Sequence, residues 1–230
     1  PLIIIYILKL SIGLAVVYLS YQLVLRRLTF YNSNRWYLLG YTFLCFYIPF
    51  INVSSFAGAD QTANGSIIRF IPSIEAYTDK AYSNIQQDAS LSSAVWDKWD
   101  WILLAIIIGA ALLVLRFLIR FFSFLQLQKR AELISADGMK LYQVNERIIP
   151  FSFGNSVFIN KELHDEAELQ EIIRHEFVHV KQRHTVDIIW AELLCILNWY
   201  NPFGWLLRSS IRQNLEFIAD NKVLKNGIGK

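Results

Sequence analysis

The chain has 230 residues, of which 54% are hydrophobic and only 18% charged, against about 25% charged in an ordinary water-soluble domain. The apolar excess lies in long runs, so a wholly soluble protein is excluded. The composition describes a mainly α, polytopic membrane protein with one modest polar domain. A net charge of +3 is too small and too local for nucleic-acid binding. Cys45 and Cys195 both sit within apolar runs, where they pack rather than form a disulfide framework.

In chain order, residues 2–25 form a first apolar run about one bilayer thick, with Lys9 as its only charge, able to snorkel to the nearer surface. Arg26, Arg27 and Arg35 follow in a short loop, and a second apolar run covers 36–53. Residues 54–100 are polar and more acidic than basic, with short helices expected near 73–89. Trp96, Trp99 and Trp101 mark an interface, and a third span is expected over about 101–122, followed by Lys129 and Arg130. The basic loop and the basic flank share one side, so the positive-inside rule places the N-terminus and the 54–100 loop outside. Everything from residue 126 on is then cytoplasmic. The chain opens on Pro1 rather than Met and closes on a soft tail at 225–230, which reads as an excerpt of a longer protein.

The polar domain, 126–230, begins with two short apolar segments around Asp137-Gly138, the pattern of a β-hairpin. Residues 150–159 read as one further strand, kinked at Gly154 and kept at a sheet edge by Pro150 and Gly154. An edge strand can pair with an extended peptide, which makes Phe153, Gly154, Asn155 and Ser156 candidate substrate-binding positions. The competing reading is an edge that touches nothing.

His175-Glu176-Phe177-Val178-His179 is an H-E-x-x-H motif. On a helix the two histidines lie on one face and can bind a single zinc ion. Glu176 lies about 100° around the helix, beside the ion, where a carboxylate can act as general base toward water. Asp165 is the expected N-cap, and Leu169, Ile172, Ile173, Phe177 and Val180 supply the apolar face. His184, nine positions beyond His175, falls on the opposite face of a continuous helix and reads as solvated or facing headgroups. His164 reads as a local cap or surface residue, and Arg208 and Arg212 as contacts to the inner leaflet.

A catalytic zinc site needs a third protein ligand and an open position. Asn214-Leu215-Glu216-Phe217-Ile218-Ala219-Asp220 offers E-x-x-x-D. Glu216 can bind the ion while Asp220, one turn on, accepts a hydrogen bond from a ligand imidazole. The alternative is a surface carboxylate pair. Between the motifs, 188–207 has Glu192 as its only charge before Leu207, and hydropathy alone would make it a fourth span. A span would carry Glu216 to the wrong side of the membrane. A re-entrant or surface-embedded hairpin turning at Asn198-Trp199-Tyr200-Asn201-Pro202 keeps it beside the zinc helix.

Together, P-F-S-F-G at 150–154, H-E-x-x-H, N-P-F-G-W at 201–205 and E-F-I-A-D at 216–220 resemble the BlaR/MecR-type membrane zinc metallopeptidases. The resemblance runs from about residue 141 to 224. It implies a gluzincin fold with one zinc per chain, held by His175, His179 and Glu216, with Glu176 as catalytic base and Asp220 behind the ligands. It further implies a signal-transducing endopeptidase of the bacterial cytoplasmic membrane that cleaves a cytoplasmic regulatory protein, or itself, in response to an external signal. The partners expected are a protein or peptide substrate, the lipid bilayer, and a sensor domain beyond residue 230 or a partner at the outer loop. The oxyanion donor is left open among Tyr200, Asn155 and His184. The alternative function is an inactive signalling or scaffold module whose metal is structural. A transporter would need paired polar residues within the spans, which these runs lack.

Overall fold

The computed structural model describes residues 2–50, 97–136 and 138–227. The helices expected near 73–89 and most of the 54–100 loop lie outside the described residues. Helix α1 (Leu2–Leu23) has 22 residues, about 33 Å of helix, which matches a bilayer core. Helix α2 (Tyr31–Cys45) has 15 residues, starts before the expected Trp36, and gives way to a short 3-10 turn at Ile48–Phe50. Helix α3 (Lys98–Arg130) has 33 residues. Among the described residues two helices, α1 and α3, rather than the expected three, are long and apolar enough to cross a membrane on their own.

Local chemistry fixes each of these elements. Asp97 caps α3 by accepting from the Lys98 amide at 2.7 Å, while its own amide donates to Asp100 at 2.9 Å. Lys129 and Arg130 in the last turn complement the helix dipole. The loop between α1 and α2 is closed by buried Asn34, whose Nδ2 donates to the carbonyls of Leu25 and Leu28 at 3.0 and 3.4 Å. Lys9 does not snorkel: its Nζ is enclosed and has no hydrogen-bond partner among the described residues.

After α3 come β1 (Glu132–Ser135), β2 (Lys140–Gln143), β3 (Phe151–Phe153) and β4 (Ser156–Ile159), in sheet order β1-β2-β4-β3. The hairpin expected around Asp137-Gly138 forms, with antiparallel β1 and β2 and a bulge between Leu133 and Ser135. The single kinked strand expected over 150–159 is instead a second hairpin. Gly154, at a φ of 61°, lets the chain reverse, and Phe153 then faces Ser156 across an antiparallel pair. Of these two strands only β3 is therefore at a sheet edge. β4 is flanked by β2 and β3, and Ser156 is buried within it.

Three further helices complete the fold: α4 (Glu166–Lys181), α5 (His184–Leu197) and α6 (Pro202–Gly227). Asp165 caps α4 as expected, accepting from the Glu168 amide at 2.8 Å. Helix α4 lays Leu169, Ile173 and Val180 onto Val157 and Ile159 of the sheet. The apolar segment 188–207 is not one continuous helix. It breaks at Asn198–Asn201, where Asn201 Oδ1 accepts from the Phe203 amide at 3.0 Å and starts α6. Helix α6 then runs back along α5, and Glu192 on α5 meets both Arg208 (2.5 Å) and Arg212 (2.9 Å) on α6. Those two arginines are ion-paired within the hairpin, a correction to the expected lipid contacts.

The largest core joins Leu10, Leu14, Val17 and Tyr21 of α1 and Leu38 and Cys45 of α2 to Ala191 and Leu194 of α5 and Leu207, Ile211, Leu215 and Ile218 of α6. Helix α2 is tied to the rest by polar bonds as well: Trp190 donates to Thr42 Oγ1, and Asn214 to the Tyr31 carbonyl, each at 3.0 Å. Helix α3 meets the hairpin where the Trp199 indole donates to the Ile106 carbonyl at 3.0 Å. A Cβ at Gly109 would run into that indole, whereas one at Gly40 on α2 would meet open space. Gly109→Ala is therefore expected to destabilise by about 1–3 kcal/mol through overpacking. Gly40→Ala should be neutral or stabilising by up to about 1 kcal/mol. Thermal melting of the two detergent-purified variants separates these outcomes; equal melting temperatures would show that Trp199 does not seat on α3.

Candidate metal centre

The amphipathic pattern of α4 turns its apolar face to the sheet and leaves His175 and His179, one turn apart, on an adjoining face toward α6. Helix α6 brings Glu216 to the same point. His175 Nε2 lies 3.3 Å and His179 Nε2 3.6 Å from Glu216 Oε2, and the two ring nitrogens are 3.2 Å apart. Ligand atoms bound tetrahedrally to zinc at about 2.0–2.1 Å stand about 3.3–3.4 Å from one another. The three atoms are thus spaced as a single zinc would require, and together form the one possible metal-binding group among the described residues. The donor set of two imidazoles and a carboxylate suits zinc and leaves a fourth position open.

Asp220, one turn beyond Glu216 on α6, places Oδ1 3.3 Å from His175 Nδ1. At that distance Asp220 can accept from a protonated Nδ1, which would leave Nε2 free to face a metal. Glu176 is half-buried beside the ligands. Its carboxylate has no hydrogen bond or ion pair among the described residues and is near enough to favour the protonated form of His175. The site is open to solvent on the α6 side, where the Glu216 side chain is 58% exposed, whereas His179 is 11% exposed.

The electrostatics follow from this crowding. The Glu216 carboxylate hydrogen-bonds His175 and raises its pKa above the ordinary histidine value, with burial opposing and Glu176 and Asp220 adding to the rise. The two imidazoles hold Glu216 well below the usual carboxylate range. His184 goes the other way: burial, then His179 and Arg35, push it down to about 3.

His184 is also where the sequence reading misplaced a residue. It is fully buried, and its Nδ1 is 2.8 Å from His179 Nδ1. The expectation of a solvated residue assumed that the zinc helix continues through 184. Helix α4 ends at Lys181, Arg183 adopts the left-handed conformation at φ 55°, and α5 starts at His184. That reversal swings His184 back to His179. No glycine, proline or asparagine announces it. Thr185, next in line, accepts from the Gly154 amide at 2.9 Å and so ties the β3–β4 turn to the start of α5.

Of the four candidate substrate-binding positions, Gly154 and Asn155 are exposed on that turn, Phe153 is half-buried against Phe124 of α3 (ring centroids 4.6 Å apart), and Ser156 is enclosed in β4. Tyr200 lies beyond the far end of α5, about 20 Å of helix from His184, which sets it apart from the candidate ligands. Among the described residues His164 makes only a local pair with Glu168, at 3.2 Å. A cavity of about 460 Å³ lies between α3, α5 and α6, with Phe117, Phe124, Phe153 and Trp205 in its walls, and none of the three metal-binding side chains reaches it.

A helix offering two histidines and a free carboxylate, completed by an acidic residue from a returning helix, defines a metallopeptidase-type centre. The chain belongs to the BlaR1 peptidase M56 family, whose model matches residues 2–227. It is similar to the regulatory protein BlaR1 of Staphylococcus aureus, at 26% identity over 247 residues, covering 90% of this chain and 40% of that protein. It is also similar to the methicillin resistance mecR1 proteins of Staphylococcus aureus (strain Mu50 / ATCC 700699) and Staphylococcus epidermidis, each 21% identical over 212 residues, covering 77% of this chain and 35% of theirs. The chain thus spans less than half the length of these relatives.

A zinc ion held by these three residues would compete with protons, and His175 would set the competition. Its raised pKa means that the imidazole already holds a proton at pH values where an ordinary histidine has lost it, while Glu216 stays ionised. Apparent zinc affinity is therefore expected to fall as pH drops, beginning above the ordinary imidazole range, by about tenfold per pH unit once His175 is protonated. Chelator competition between about pH 8 and about pH 6 reads this; an affinity flat across that window would show that the three residues do not share an ion.

Proposed function

We propose that this protein is a zinc-dependent endopeptidase embedded in the bacterial cytoplasmic membrane. It cuts a cytoplasmic regulatory protein, or its own chain, in response to a signal from outside. The observation that carries the reading is the tight grouping of His175 Nε2, His179 Nε2 and Glu216 Oε2 beside an unpaired Glu176 carboxylate. A structural metal would have a fourth protein ligand. Three ligands and a solvent-exposed Glu216 favour a centre that holds water and substrate, and so favour the enzyme over an inactive scaffold.

Zinc, when bound, would supply Lewis acidity toward a peptide carbonyl and lower the pKa of water at the site to about 7. The chain's own groups do the rest. Glu176 takes the water proton and passes it to the leaving amine. Asp220 keeps His175 oriented. The unpaired outer edge of β3, on a sheet packed against α4, offers backbone groups to an extended substrate, with Phe153, Gly154 and Asn155 nearest its path. Ser156, paired on both sides, serves the sheet.

The topology proposed has three crossings, the second made by α2 with the turn that follows it, and places the 54–100 loop outside and the metal centre in the cytoplasm. Arg26 and Arg27 between α1 and α2, Arg35 in the first turns of α2, and the basic end of α3 lie toward the metal helix and its sheet, a reading supported by the Arg35–Gln182 and Phe124–Phe153 contacts. The α5–α6 hairpin is proposed to be membrane-embedded. Its tip reaches Ile106, about 13 Å along α3 from Asp97, and Val186, Leu193, Leu197 and Leu206 are exposed along it.

The test is Glu176→Gln in the full chain reconstituted in vesicles, with self-processing and cleavage of a quenched-fluorescent peptide library as readouts. The variant is expected to keep zinc and lose at least about 100-fold in rate. Equal cleavage by wild type and variant would sink the assignment of Glu176. A wild type that binds zinc yet cleaves nothing would point to the scaffold.

A further inference from the structure

His184 belongs to no ligand motif, yet its Nδ1 is nearer to a metal-binding imidazole than any of the three proposed ligands is to another: 2.8 Å from His179 Nδ1, with its own ring fully buried. Two facing ring nitrogens share one proton, so one donates and the other accepts. A His179 that turns its Nε2 lone pair to an ion must carry its proton on Nδ1. His179 Nδ1–H then donates, and His184 Nδ1 accepts. That tautomer leaves the His184 proton on Nε2, the very atom that is enclosed without a hydrogen-bond partner among the described residues. His175 is held in the matching way by Asp220.

A second set of contacts fixes where His184 stands. Arg35 of α2 donates from Nη2 to the Gln182 carbonyl at 3.0 Å and from Nη1 to Gln182 Oε1 at 3.3 Å. Its Nε lies 2.7 Å from Asp187 Oδ2, and these side chains are 13% and 4% exposed. Arg35 thus grips the last residue before the left-handed Arg183 and the first turn of α5. His184 lies between the two points held.

We propose that His184 is a positioning residue that presents His179 to the metal, and that Arg35 on the second helix holds His184 in place. The proposal rests on the metal-centre reading above and adds to it a residue outside the ligand motifs and a link from α2 to metal affinity. A side chain that merely filled space there could be replaced by any apolar group of similar size. One that accepts a hydrogen bond could not.

The experiment is zinc affinity by chelator competition on the detergent-purified chain, for wild type, His184→Leu and His184→Asn, with melting of the metal-free proteins alongside. Asparagine sets a carbonyl oxygen close to the place of Nδ1 and can accept the same hydrogen bond. His184→Leu is expected to weaken zinc by about 10–100-fold, the usual effect of losing an outer partner of a ligand. His184→Asn should stay close to wild type, and the visible spectrum of the cobalt-loaded protein should shift for leucine alone. Unchanged affinity in a folded His184→Leu overturns the proposal, and so does a folded His184→Asn that is as weak as leucine. If leucine prevents folding, the decision passes to asparagine and to Arg35→Met combined with Asp187→Leu, which removes the clamp without stranding a buried charge. That double variant should also weaken zinc, and unchanged affinity in it overturns the role of Arg35. A wild type that binds no zinc overturns the metal-centre reading itself, a result distinguishable from every outcome in the variants.

Discussion

The metal centre depends on one return of the chain. His175 and Glu216 are separated by 41 positions in sequence and by 3.3 Å in space, and most of the intervening chain is apolar. Extended as a single helix, that chain would run away from His175 instead of coming back to it. The turn at Asn198–Asn201 prevents this. It is held by side-chain bonds: Asn198 Nδ2 donates to the Leu194 carbonyl, and Asn201 Oδ1 accepts from the Phe203 amide, one of the backbone groups freed at the start of α6. The Glu192 ion pairs with Arg208 and Arg212 then fasten the two arms. Glu216 and Asp220 thereby arrive on the side of α4 that carries His175 and His179.

A second constraint acts at the other end of α4. The buried pair of Arg35 and Asp187 is stabilising only as a pair, because either charge alone would be left in a region of low dielectric, at a cost of about 3–5 kcal/mol. The pair therefore commits α2 to a fixed position against the turn between α4 and α5. The candidate metal centre, the hairpin and the N-terminal helices form one packed unit, which the shared core from Leu10 to Ile218 expresses in apolar contacts.

Much of the centre was legible from the residues alone because its signals are local and periodic. H-E-x-x-H and E-x-x-x-D each place their groups on one face of one helix, and the Asp165 cap and the Asp137-Gly138 hairpin need only short stretches. The need to reunite the two motifs also predicted the break at Asn201-Pro202. What escaped was set by tertiary context. Arg183 takes a left-handed conformation that its residue type does not advertise, and this one backbone reversal turned His184 from an outward residue into a buried partner of His179. Gly154 signalled a kink and delivered a full reversal, because Phe151 and Phe153 could then pack against Phe124 of α3. Arg208 and Arg212 read as lipid contacts because their partner, Glu192, stands on the preceding helix. The second apolar run gave a helix too short to cross a membrane unaided.

The shared core has a practical consequence for handling the molecule. A fragment beginning after α3 would contain every residue of the ligand set. It would lack the faces of α1 and α2 that cover Leu194, Leu207, Ile211, Leu215 and Ile218, and it would leave Asp187 with no guanidinium. Such a fragment keeps the motif and gives up the solvent shield around it. The functional unit that can be isolated intact is the whole helical assembly, extracted with its lipid or detergent belt.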